Sequence, residues 1–235
     1  MAAPPGTVPA GTTPSRTTPS RTAPSGTAPA GTALACLPPD RGSRRPGRRD
    51  QILATAAAMF ARRGFHGVSI DELGAAVGLS GPALYRHFRS KERILSEMLL
   101  DVGDRLLASA TANAHRAATP GGRLRCLIEA HVAFAVAEPD LVAVQTRDVA
   151  SLPPDDRCKV AETQDRYADL WIGAVMAVTG ADRSAAATGV QAAFGLMNAT
   201  AGAARLDSAR HRQLLTEMAE AALAAVAGEA REGGQ

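Results

Sequence analysis

The sequence predicts an all-α protein of about nine helices, on three observations. Alanine and other strong helix formers dominate the chain, while only 3% of its 235 residues are aromatic. Apolar side chains recur at three- and four-residue spacing, and no alternating apolar and polar run competes with them. Serine, threonine and aspartate at helix starts, with glycine or proline at helix ends, divide the chain into helix-sized pieces.

Met1 to about Pro39 is built from near-repeats such as GTTPSRTTPSRTAPSGTAPAGTA, which offer no apolar face to bury. A disordered extension is expected there, read as inert in preference to an interaction tail. About 190 residues remain, ample for a core. Arg41, Arg44, Arg45, Arg48 and Arg49 then stand against a single acid, Asp40, as a basic arm suited to a phosphate backbone or a minor groove. The first helix follows, with Ile52, Leu53, Ala56, Met59 and Phe60 on one stripe. It ends where Arg62 and Arg63 precede Gly64.

The next stretch, SIDELGAAVGLSGPALYRHFRSK from Ser69 to Lys91, organises the rest. Ser69 and Glu72 form a capping box, and Val68 and Leu73 stand where a hydrophobic staple closes over it. Gly78 breaks this second helix. Ser80 is placed to cap a third that opens with Gly81-Pro82, and Leu79 and Leu84 repeat the staple. Two capped helices joined by a short glycine-containing turn form a helix-turn-helix, whose second helix lies across a DNA major groove. Leu84 and Phe88 should face the core, turning Ala83, Tyr85, Arg86 and His87 outward. Arg86 can donate to a guanine edge or a phosphate, and Ala83 can meet a thymine methyl. Tyr85 and His87 can donate to phosphates. Lys91, a cation at the first position of the helix that Ser90 caps, opposes the helix dipole and would be useful beside a phosphate. Each of these side chains taken alone reads first as a solvated surface group; together they read as a DNA-binding face.

VSIDELGAAVGLSGPALYRHFRSKERIL, with ILATAAAMFARRGFHG before it, resembles the DNA-binding segment of TetR-type transcriptional regulators over about a quarter of the chain. The resemblance carries Ser69, Ser80, Gly81 and Pro82 into the DNA-facing set. It implies an all-helical homodimer in which each subunit has a three-helix head on double-stranded operator DNA. A larger body binds a small-molecule effector, and the last two helices form the dimer. The expected division is residues 1–43 extension and basic arm, residues 44–92 helix-turn-helix domain, and residues 93–230 ligand-binding and dimerisation domain.

From Ser90 a long fourth helix carries Ile94, Leu95, Met98, Leu99, Val102, Leu106 and Leu107 from head into body. Thr119-Pro120 starts a fifth, with Leu124, Leu127, Ile128, His131, Val132 and Phe134, ending near Pro139. A short sixth is expected from Leu141 to about Ser151. Pro153-Pro154 opens the seventh, through Val160, Tyr167, Leu170, Trp171 and Val175 to Gly180. Asp182 caps the eighth, rich in Gly and Ala around Val190, Phe194 and Met197. Ser208 is expected to cap the ninth, with Leu214, Leu215, Met218, Leu223 and Val226. A ligand cavity would use the body's few large side chains, Phe134, Tyr167, Trp171, Met176, Phe194 and Met197, with His131, Arg147, Gln145 and Asn198 as polar contacts, although each taken alone reads first as plain core. The stretch from TRDVASLPPDDR to RYADLW loosely resembles bodies of TetR-like regulators of lipid or acyl-coenzyme A metabolism. On that resemblance the effector is apolar or amphipathic, an acyl-CoA or fatty acid derivative being one candidate beside an aromatic drug, a hormone-like lactone or a steroid fragment, and Arg147 and Arg166 could meet an anionic head group.

Charge is unevenly placed. Residues 1 to 90 carry 11 basic and 4 acidic side chains, whereas the remainder carries 15 and 19. The basic half coincides with the DNA-binding half. Cys36, Cys126 and Cys158 lack CxxC or CxxH spacing and suggest neither a disulfide framework nor a zinc site, which fits a reducing cytoplasm. There is no apolar run of membrane-spanning length and no charged start plus apolar core of a signal peptide. HExxH and ExxH pairs, phosphate-cradling glycine loops and Cys-His clusters are missing, so no enzyme and no cofactor is expected. The expected function is a ligand-responsive regulator, most simply a repressor on a palindromic operator. The alternative is an architectural or partner-recruiting DNA-binding protein without a small-molecule ligand.

Overall fold

The computed structural model describes residues 47–199 and 207–229. These form helices α1 (Arg48–Arg63), α2 (Ile70–Ala76), α3 (Gly81–Leu84), α4 (Lys91–Arg116), α5 (Pro120–Ala137), α6 (Pro139–Asp148), α7 (Pro154–Thr179), α8 (Arg183–Asn198) and α9 (Ser208–Glu229), with a 3-10 turn at Val149–Ser151 after α6. Among the described residues there is no strand, as the helical periodicity predicts. Arg44 and Arg45 of the basic arm lie outside the described residues.

The caps act where the sequence places them. Ser69 Oγ accepts from the Glu72 amide at 3.2 Å, and Glu72 Oε2 accepts from the Ser69 amide at 2.8 Å. The Arg63 guanidinium, then the Ser69 amide, hold the Glu72 carboxyl down at a pKa of about 2. Ser90 Oγ accepts from the Arg93 amide, Thr119 Oγ1 from the Gly122 amide, and Asp182 Oδ1 from the Ser184 and Ala185 amides. Three expectations are corrected. Ser80 occupies the cap position of α3, but its hydroxyl makes no capping bond. The cap of α9 is Asp207, whose Oδ1 accepts from the Ala209 and Arg210 amides, and Ser208 is the first helical residue. Helix α6 begins at Pro139, where a missing amide is harmless, and Val149–Ser151 tightens into the 3-10 turn.

In the head, α1, α2 and α3 close over Ile52, Phe60, Phe65, Val68, Leu73, Leu84 and Phe88, all at most 2% exposed, together with Ile94, Leu95 and Met98 from the start of α4. In the body, α4 packs on α7, α5 on α7 and α9, and α8 on α9. Trp171, Ile128, Val190 and Met197 lie at its centre. Head and body meet chiefly where α1 packs on α6.

Candidate nucleic-acid interface and effector cavity

The crossing of α2 and α3 depends on close backbone approach. A Cβ on Gly74 would stand 2.9 Å from the Leu79 carbonyl oxygen, and one on Gly81 2.2 Å from Asp71 Oδ1. Gly78 turns the chain at φ +69°, a left-handed conformation that glycine adopts without strain. Helix α3 has only four residues. The chain continues as tight turns, with the Arg86 amide donating to the Ala83 carbonyl and the His87 amide to that of Leu84. The expected inward and outward faces persist through those turns: Leu84 and Phe88 are buried, whereas Pro82, Tyr85 and Arg86 are exposed, Tyr85 by 52%. Ala83 and His87 are half-buried beside them.

The cations of the head divide into two groups. Arg48 donates to the Val77 carbonyl and, at 3.1 Å, to Gln51 Oε1. Arg49 grips Glu97 at 2.6 and 3.1 Å, donates to the His87 carbonyl and stacks over Phe88 at 4.1 Å. Lys91 Nζ donates to the Phe65 and Val68 carbonyls at 2.9 and 2.8 Å and lies 4.3 Å from the Phe65 ring centroid. That engagement accounts for a cation at a helix start without a phosphate: the ammonium folds back onto loop carbonyls that need a donor. The side chains of Arg62, Arg86 and Arg89, in contrast, have no ion pair or hydrogen bond among the described residues. Two of these three free charges therefore stand beside the exposed Tyr85.

In the body, His131, Phe134, Tyr167, Phe194 and Asn198 converge on one place. A cavity of about 370 Å³ is lined by Leu106, His131, Gln145, Gln164, Tyr167 and Phe194 with Asp165, Ala168, Gln191, Gly195 and Asn198. A smaller one of about 160 Å³ shares His131, Gln145, Gln164 and Asn198 with it and adds Phe134. The His131, Tyr167 and Phe194 rings lie within 13° to 23° of parallel, and Trp171 stands edge-on to each.

Some expected ligand contacts lie elsewhere, and Met176, Met197 and Arg166 line neither cavity. Trp171 is fully buried behind the cavity wall. Arg147 points away from the cavity to α1, where Nη1 donates to the Ala61 carbonyl at 3.1 Å and Nη2 to that of Phe60. Its guanidinium also pairs with buried Asp148 at 3.1 and 3.2 Å, which holds the arginine firmly in its charged form. A cation at the C-terminus of α1 complements the negative end of the helix dipole. Ser151 Oγ lies 3.1 Å from His66 Nε2, a second tie between body and head.

Sequence reasoning left Gln164 and Gln191 out of the cavity wall. Their signal was present: Gln164, Tyr167 and Ala168 share one face of α7, and Gln191, Phe194, Gly195 and Asn198 one face of α8. Among the described residues, no group of three or more His, Cys, Asp or Glu side chains is placed to hold a metal ion. No helix among them is long and apolar enough to cross a membrane.

Residues 52–98 match the sequence profile of bacterial regulatory proteins of the tetR family, and residues 117–205 that of the tetracyclin repressor-like C-terminal domain. The chain belongs to the TetR family. It is a ligand-responsive DNA-binding regulator of transcription and not an enzyme. The HTH-type transcriptional repressor KstR2 of Rhodococcus jostii (strain RHA1) is 28% identical over 141 residues, 60% of this chain and 69% of that protein. The crystal structure of a TetR-family regulator from Bordetella parapertussis 12822 matches with a TM-score of 0.65 at 26% identity, covering 73% of this chain and 95% of that one. AibR, crystallised with isovaleryl coenzyme A and operator DNA, has the same fold at TM-score 0.61 and 22% identity, covering 73% and 97%.

Proposed function

We propose that this TetR-family chain is a repressor whose homodimer, joined through α8 and α9, binds a palindromic operator and leaves it when a small amphipathic effector enters the cavity at His131. Pro82, Ala83, Tyr85, Arg86 and His87 face the groove, and the unbonded Ser80 hydroxyl is available to a phosphate. The observation that carries this reading is the position of α6. Gln145 on this helix lines the cavity, and two residues later Arg147 holds the last carbonyls of α1. An occupant that displaces Gln145 displaces Arg147, and with it the head. Regulation in this direction is in keeping with the repressor KstR2, and an acyl-CoA or fatty acid derivative as effector with the isovaleryl coenzyme A bound by AibR. As a family regulator on DNA it would work in the bacterial cytoplasm, associated with the nucleoid.

A footprint of the full chain on DNA upstream of its own and the adjacent gene tests the proposal. A protected palindrome is expected, released by a pool of acyl-CoA esters. Protection that no small molecule releases would favour the architectural or partner-recruiting alternative.

A further inference from the structure

Resting on that reading of the cavity as the effector site, we infer that the effector places an uncharged carbonyl group, of an ester, thioester, ketone or lactone, in the cavity, where its oxygen accepts from the Asn198 amide, and that a free carboxylate is excluded from that position.

The polarity of the hydrogen-bond chain, with the Asn198 oxygen turned to His131, points to this. His131 Nε2 lies 3.1 Å from Asn198 Oδ1, and an amide oxygen only accepts. The proton of this imidazole is therefore on Nε2, which leaves Nδ1 bare. Tyr167 Oη, 3.0 Å from Nδ1, must donate to it. The Trp171 indole N–H is buried beside these rings and makes no hydrogen bond among the described residues. Its direction runs Tyr167 to His131 to Asn198. With one lone pair of Oδ1 taken by the imidazole N–H, Asn198 offers an occupant its Nδ2 donors, and it lines both cavities. Gln145, Gln164 and Gln191 can each turn either end of the amide toward the ligand, whereas Asn198 is oriented by its bond to His131.

The charges around the cavity agree. Among the described residues lining either cavity there is no Lys or Arg, and one lining residue is Asp165. Arg147, which a carboxylate would have needed, is held at α1 and Asp148. Burial lowers the His131 pKa to about 4, so the ring supplies no cation at neutral pH. A carboxylate entering here would lose its water, meet a second carboxylate and gain no counter-ion. A neutral carbonyl needs one donor, which Asn198 has.

The experiment uses matched pairs on the full chain at neutral pH: methyl octanoate against octanoate, and methyl 3-phenylpropanoate against 3-phenylpropanoate. Thermal shift and displacement of upstream DNA are both read. At least one ester should bind at least tenfold tighter than its acid, and Asn198→Asp, which puts an acceptor where the donor stood, should lose that ester at least tenfold. Asn198→Leu, which also lacks the donor but adds no charge, should lose it too. An acid binding as well as its ester, or both variants keeping the ester, overturns the inference while leaving the cavity an effector site. If no compound of either pair shifts melting or DNA binding while the acyl-CoA pool releases the operator, the inference falls alone; if the pool fails as well, the inference and the effector reading fall together.

Discussion

Arg86 and Lys91 are both cations of the DNA-binding head, yet their surroundings assign them different work. Arg86 is exposed beside Tyr85 and free to meet a base edge or a phosphate, whereas Lys91 closes the loop between α1 and α2 onto α4 through two carbonyls. Arg86→Ala should weaken operator binding by about 1–3 kcal/mol with the melting temperature unchanged. Lys91→Ala should lower stability by about 1–3 kcal/mol, because the carbonyls of Phe65 and Val68 lose their donor. Melting curves beside DNA titrations separate the two. If Lys91→Ala melted like the wild type, its role would lie on DNA alone. The sequence marked both positions but could not distinguish them, since the carbonyls that engage Lys91 come from 23 and 26 residues away. His131 makes a prediction about pH. Its folded pKa, about 4, lies below the ordinary value of 6.5 because burial penalises the charged ring. The unfolded chain therefore takes up the proton first, so stability is full above pH 6.5 and declines as pH falls toward 4. Between pH 7 and 5 the loss from this group is about 2 kcal/mol. Urea titrations of the wild type and His131→Gln across that range should show a flatter pH dependence in the variant.

At the scale of elements, the helix boundaries were largely legible because caps are local chemistry: Ser69, Ser90, Thr119 and Asp182 each bond an amide two or three residues on. The recognition helix was less legible. Gly81-Pro82 announces its start, yet no residue marks where four helical residues give way to turns, and Leu84 and Phe88 satisfy the buried pattern either way. The crossing of α2 and α3 is set by Gly74, whose missing side chain lets the Leu79 carbonyl approach. Gly74→Ala, although favourable for helix propensity, should destabilise the head by about 1–3 kcal/mol, since the obstruction is backbone and cannot rotate aside. Operator affinity should fall with it. Calorimetry of the variant checks this, and a raised melting temperature would mean that the crossing is loose.

At the scale of the whole molecule, the division into a basic head and a mildly acidic body was visible in the charge distribution, and the family motif pointed to the head's function. The route between the two parts was not visible. Arg147 looked like a ligand contact because a cation among body residues suggests an anion, but the register of α6 against α1 turns it to carbonyls 86 and 87 residues away. The cavity wall likewise needed three helices in register before Gln145, Gln164, Gln191 and Asn198 could be seen to face one space. The account makes α6 the link, with Gln145 reading the cavity and Arg147 holding the head. Allosteric couplings of this kind are typically about 1–3 kcal/mol.

The most direct measurement is operator affinity with and without a releasing effector, in the wild type and in Arg147→Ala, alongside calorimetry of effector binding in the absence of DNA. The account predicts that the variant binds the effector within about threefold of the wild type but loses most of the effector-induced drop in operator affinity, the coupling falling by about 1 kcal/mol or more. Full release retained in Arg147→Ala, with effector binding unchanged, would contradict it.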